Sequence, residues 1–96
     1  MILDFADRDL EILVADGPGP KTKRIPTELY RIIVRKIAYL NQAVRLEDLR
    51  IPPANRLERL KGDLAGQYSI RVNDQFRLVF YWENGEARAV RFMDYH

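Results

Sequence analysis

The chain has 96 residues and a formal net charge of +2. A chain this short buries roughly 60–65% of its unfolded surface, which allows one modest core and predicts a single domain over residues 1–96. It has no cysteine and one histidine, His96, which excludes a disulfide scaffold, a thiol nucleophile and cysteine- or His-rich metal sites; no metal or other cofactor is expected.

In chain order, Ile2 to Phe5 reads as a short first strand. Asp7 is a plausible N-cap for a helix to about Asp16, with Leu10, Leu13 and Val14 as its apolar stripe. Gly17-Pro18-Gly19-Pro20 ends that helix, since glycine accepts the cap and proline cannot continue the helix. Pro26 suits the first turn of a second helix. Its apolar face is Leu29, Ile32, Ile33, Ile37, Leu40 and Val44, with Arg31, Arg35 and Lys36 mostly off the stripe. Pro52 and Pro53 break the chain, and from Asn55 the period becomes two. Tyr68, Ile70 and Val72 alternate with Ser69, Arg71 and Asn73; Phe76, Leu78, Phe80 and Trp82 alternate with Arg77, Val79 and Tyr81. Asn84-Gly85 signals a two-residue hairpin loop, and a last strand runs from about Glu86 to Met93. The predicted order is β-α-α-β-β-β-β, an α+β domain with two N-terminal helices packed on an antiparallel sheet. A strict two-residue loop would set Arg77 opposite Phe92 and Val79 opposite Val90.

No signal peptide is evident, because Asp4 interrupts the N-terminal apolar residues, and no apolar run approaches the roughly 18–20 residues of a membrane helix. The expectation is a soluble, cytoplasmic protein with no membrane partner. From Lys61 to His96 the basic residues are Lys61, Arg71, Arg77, Arg88 and Arg91. Arginines dominate that set, and they suit bidentate phosphate contacts.

Three segments carry a family resemblance: Arg56-Leu57-Glu58-Arg59-Leu60-Lys61-Gly62-Asp63, then Gln67 to Phe80 (QYSIRVNDQFRLVF), then Asp94-Tyr95-His96. Together they resemble the HigB branch of the RelE/ParE toxin superfamily. The resemblance implies a RelE-like sheet and a ribonuclease that cuts messenger RNA in the ribosomal A site. It also implies partners: ribosomal RNA, mRNA and a HigA-like helix-turn-helix antitoxin.

RNA cleavage by 2′-OH attack needs a base, charge stabilisation at phosphorus and an acid for the leaving oxygen. Arg77, mid-strand between Phe76 and Leu78, is the candidate aimed at the scissile phosphate; the plainer reading is a snorkelling surface arginine. Arg71 is a candidate second clamp, and Lys61 a phosphate-neutralising cation or, once deprotonated, a base. Each also fits an ordinary sheet-surface residue. Tyr95 is a candidate for base stacking or proton donation. His96, favoured as a cation by the adjoining α-carboxylate, is a candidate general acid; the plainer reading of both is a frayed tail. Some relatives have a histidine three residues before the lysine, where this chain has Glu58. The second proton-transfer group is therefore open among Lys61, Glu58, Asp94 and Tyr95. Arg31, Arg35, Lys36 and Arg91 are candidate RNA-phosphate contacts, against a solvated helix face balanced by Glu28, Glu47 and Asp48. The competing functions are a ParE-like protein-binding toxin acting on gyrase and a non-catalytic co-repressor of the antitoxin.

Overall fold

Asp7 decides where the first helix starts. In the computed structural model, which describes residues 1–95, its backbone is extended and its carboxylate accepts a hydrogen bond from Leu10 N at 3.1 Å. That bond satisfies an amide the helix itself leaves orphaned. Helix α1 runs Arg8–Asp16 and buries Leu10 and Leu13. Gly17 closes it at φ 82°, donating its N–H to the Leu13 carbonyl; a left-handed φ costs glycine little.

Helix α2 spans Tyr30–Gln42 behind a 3-10 turn at Thr27–Leu29, and it buries Ile33, Ile37 and Leu40. It ends two residues before Val44, short of the predicted stripe. The Asp48 carboxylate accepts from the amides of Val44 at 2.9 Å and Arg45 at 3.0 Å, turning the chain into a second 3-10 segment, Leu46–Arg50. Val44 is consequently 75% exposed instead of packing on the core. Lys36 departs from expectation in the opposite sense. It follows Ile33 by three residues and precedes Leu40 by four, so it shares their face, and it is buried.

Four strands follow: β1 Glu58–Arg59, β2 Gln67–Arg71, β3 Phe76–Glu83 and β4 Glu86–Asp94. Each pairs antiparallel with the next, in the order β1-β2-β3-β4. The expected N-terminal strand is a correction: Ile2 and Phe5 form only isolated parallel bridges, to Ala87 and Val90 of β4. The cause lies in β4. Ala89 takes φ 52° and donates its N–H to the Asp4 carboxylate at 2.6 Å, which interrupts a regular ladder along that edge.

The same irregularity changes the register. Around Asn84-Gly85 the pairs are Glu83↔Glu86, Trp82↔Ala87 and Tyr81↔Arg88, as a two-residue loop requires. Beyond the bulge they become Val79↔Arg91 and Arg77↔Met93, one residue further along β4 than a strict hairpin predicts. A bulge inserts one unpaired residue and so reverses the side-chain alternation past it. Ala87 before it and Val90 and Phe92 after it can therefore all join one core, with Ile70, Leu78, Phe80 and the buried helix residues. By alternation the opposite face carries Ser69, Arg71, Arg77, Val79, Arg91 and Met93. No helix among the described residues is long and apolar enough to cross a membrane.

Asp7 also fastens α1 to the sheet. Its carboxylate accepts from Phe92 N at 3.0 Å and pairs with the Arg24 guanidinium at 2.6 Å. Burial pushes this carboxyl's pKa up, but the Arg24 guanidinium and the Phe92 and Leu10 amides outweigh it, leaving it below its ordinary value. The carboxylate's contribution is thus complete above about pH 4, where the unfolded group ionises, and is lost as pH falls through the folded value. Asp7→Ala is expected to destabilise the protein by about 2 kcal/mol at pH 7. Urea denaturation checks this, and the variant and wild type should draw together at pH 3.

Candidate active site

The site is built around one guanidinium. Arg77 is the second residue of β3, an inner strand, directly opposite Arg71 on β2 and Met93 on β4, and is 6% exposed. A buried cation needs acceptors. Its Nη1 donates to Glu58 Oε1 at 3.3 Å, and its Nη2 donates to the carbonyl of Arg56. The Tyr95 ring covers the guanidinium, with Cζ 5.0 Å from the ring centre, in cation–π geometry. Tyr95 Oη donates to the second Glu58 oxygen, Oε2, at 3.2 Å. Glu58 thus bridges the arginine and the tyrosine. Arg77 Nε has no hydrogen-bond partner among the described residues, and neither has Ser69 Oγ on the neighbouring strand. Burial weakens the guanidinium's hold on its proton, with the Glu58 charge acting against that; an arginine nonetheless stays cationic at physiological pH.

Two arginines directly across a sheet repel, and here each is drawn to its own carboxylate. Arg71 pairs with Asp74 in the loop after β2, Arg77 with Glu58. Glu58 reaches this face because β1, though two residues long, sets it opposite Ser69. Tyr95 reaches it because β4 runs on to Asp94 and the Tyr95 amide is then held by the Gln75 carbonyl at 2.8 Å.

The structure therefore brings Glu58, Arg71, Arg77 and Tyr95 together. Lys61 lies two residues past β1, exposed, at the start of a 3-10 turn over Gly62–Leu64. Asp94 ends β4 opposite Phe76 and accepts from Gln75 Nε2 at 2.9 Å. Arg91 shares the Arg77 face and donates to the buried Gln67 Oε1 at 2.6 Å. Arg31 and Arg35 are exposed on α2. Lys36 is not with them: its ammonium points inward and donates to Asn55 Oδ1 at 2.7 Å. His96 lies outside the described residues. The sequence reading missed Gln67, Ser69 and the Arg56 carbonyl. A backbone acceptor carries no side-chain signal, and a buried glutamine on a strand looks like any polar surface residue.

The face is not a bare groove. Ser69 and Val79 are fully buried on it and Leu60 is nearly so, so its middle is a packing surface and the charged groups stand around it. The depressions elsewhere on the surface lie away from Arg77; one of about 360 Å³ is lined by Ile2, Phe5, Val14 and Ile37. Among the described residues no group of three His, Cys, Asp or Glu side chains stands close enough to hold a metal ion.

A family model described as the RelE-like toxin of the type II toxin–antitoxin system HigB matches residues 3–96. Toxin HigB-1 of Vibrio cholerae serotype O1 is 44% identical over 87 residues, covering 91% of this chain and 90% of that protein. Endoribonuclease HigB of Proteus vulgaris is 29% identical over 96 residues and all of both chains. In solved structures, a YoeB–YefM toxin–antitoxin complex from Staphylococcus aureus aligns with TM-score 0.51 at 22% identity, covering 93% of this chain and 85% of that one; this likeness is one of fold.

Partial burial raises the Tyr95 phenol's pKa above its ordinary value; the Glu58 charge and hydrogen bond raise it further, against the opposing pull of Arg77. Glu58→Gln removes the charge that disfavours the phenolate. The Tyr95 titration, followed by NMR of its ring carbon, should shift to lower pH in that variant.

Proposed function

This chain belongs to the HigB-like family of RelE-like toxins of type II toxin–antitoxin systems, and from that premise we propose that it is an endoribonuclease that cleaves messenger RNA in the ribosomal A site. The observation that carries the reading is the anion already seated on Arg77, the Glu58 carboxylate. A guanidinium in that environment is built to hold an oxyanion, and a phosphodiester is another.

In the proposed reaction the scissile phosphate displaces Glu58 from Arg77. Freed beside the phosphate, the Glu58 carboxylate takes the proton of the 2′-OH. The 2′-oxygen bonds to phosphorus as the bond to the 5′-oxygen breaks, giving a 2′,3′-cyclic phosphate and a 5′-hydroxyl. His96, as a cation, delivers the proton to the departing oxygen. Arg77 and Arg71 face the charge that builds on the non-bridging oxygens, and Lys61 at the sheet edge neutralises an adjoining phosphate. Tyr95 stacks on the displaced base or hands a proton through Glu58. Asp94 is the other carboxylate available as base. Glu58 is preferred because it touches Arg77. The route calls on no metal or other cofactor. Arg31, Arg35 and Arg91 contact RNA phosphates on the ribosome. Lys36 does not, because it is buried. The site of action is the cytoplasm, and the neutralising partner is a HigA-like helix-turn-helix antitoxin.

Arg77→Ala should lower single-turnover cleavage of ribosome-bound mRNA by at least about 10²-fold, the scale of losing one oxyanion donor. It should also abolish growth arrest, in a variant shown to be folded by circular dichroism. Primer extension after brief expression of the wild type should find cuts at in-frame codon positions. Intact mRNA with growth arrest would favour the ParE-like gyrase reading, and no arrest the co-repressor. A folded Arg77→Ala protein that still cuts mRNA would overturn the proposal.

A further inference from the structure

A buried lysine without a carboxylate is an expensive feature on an apolar helix face. Lys36 is 4% exposed, between Ile33 and Leu40 on the buried side of α2, and forms no ion pair among the described residues. Burial lowers its pKa, and the Arg35 and Arg71 charges lower it further. An apolar side chain there would cost the fold less. The ammonium has one well-placed acceptor, Asn55 Oδ1 at 2.7 Å.

Asn55 is fully buried, and its Nδ2 donates to the carbonyls of Leu49 at 3.1 Å and Ile51 at 3.4 Å. An ammonium can only donate, so Lys36 dictates which end of the Asn55 amide carries the oxygen and leaves the other end for those carbonyls. The amide therefore pins the turn that leads into β1. The next residue, Arg56, stands at φ 45°, a left-handed conformation that a non-glycine residue keeps only when its surroundings impose it. The Arg56 carbonyl is one acceptor of Arg77, and Glu58, two residues on, is the other.

We propose that Lys36 is a positioning residue for Arg77: through Asn55 it fixes the turn that presents the Arg56 carbonyl and Glu58 to the guanidinium. The consequence for catalysis rests on the ribonuclease reading above; the consequence for Arg77 itself does not.

The test separates the two. Lys36→Met keeps the stem's bulk and removes the charge and the hydrogen bond. In the folded variant, Arg77 should react with phenylglyoxal about tenfold faster than in wild type, read by peptide mass mapping, while exposed Arg45 reacts unchanged. Single-turnover cleavage should fall about 10- to 100-fold, as for an ångström-scale misplacement, with ribosome affinity unaltered. Should Lys36→Met fail to fold, Lys36→Leu, which likewise removes the charge and the donor, is read the same way. A folded variant with wild-type Arg77 reactivity overturns the proposal. Faster modification with unchanged cleavage upholds the positioning and counts against a part for Arg77 in the cleavage, whereas wild-type protein that cuts no mRNA counts against the nuclease assignment alone.

Discussion

The structure turns on a cation placed in the middle of a sheet. Arg77 has strand neighbours on both sides, so its guanidinium can escape to water only along one face, and that face is mostly covered. Desolvating a guanidinium costs several kcal/mol unless acceptors meet it. Those acceptors come from distant parts of the chain: the Arg56 carbonyl and Glu58 from the turn into β1, and the Tyr95 ring from beyond β4. Segments on either side of the central hairpin are thereby drawn to one point. The match is incomplete, since Nε and the neighbouring Ser69 Oγ are left without partners among the described residues.

The bulge at Ala89 is what makes that convergence compatible with a continuous core. Without it, the alternation that buries Ala87 would turn Val90 and Phe92 away from the helices and bring Arg91 and Met93 in toward them. With it, Val90 and Phe92 join the core while Arg91 and Met93 line the Arg77 face. The N-terminal segment holds the irregular residue in place: the Asp4 side chain binds the Ala89 amide, and the Asp4 carbonyl accepts from Val90 N. The first residues, far from the site in sequence, therefore fix which side chains of β4 can reach it.

Local chemistry was legible in the sequence; anything set by a distant partner was not. The Asp7 cap, the Gly17 stop and the Asn84-Gly85 loop are contained within a few residues, and each forms where the residues indicate. The alternation in β2 and β3 was equally clear. The N-terminal strand and the register failed together, because both depend on Asp4 meeting Ala89, a contact across 85 positions. The stripe on α2 was overextended to Val44 because Asp48 captures the amides that would have continued the helix. Lys36 was assigned to the solvated face on residue type, although its spacing from Ile33 and Leu40 already placed it on the buried one. Glu58 stood out only as an unusual residue in a familiar position. Its contacts with Arg77 and Tyr95 needed the fold.

That Glu58 is an anion has consequences a histidine in its place would not have. It holds the charge of Arg77, so on the proposed mechanism binding a phosphodiester exchanges one anion for another and leaves no naked cation on either side of the exchange. On the proposed mechanism Glu58 then accepts the 2′-OH proton and becomes neutral. A neutral carboxyl competes far less for a guanidinium than a carboxylate does. Glu58 thus no longer draws Arg77 away from the phosphate at the stage when negative charge accumulates on its oxygens. An interaction that strengthens between ground state and transition state is the kind that accelerates a reaction. On the same mechanism the Glu58–Arg77 tie seen at rest disfavours premature commitment of Arg77 to any passing anion.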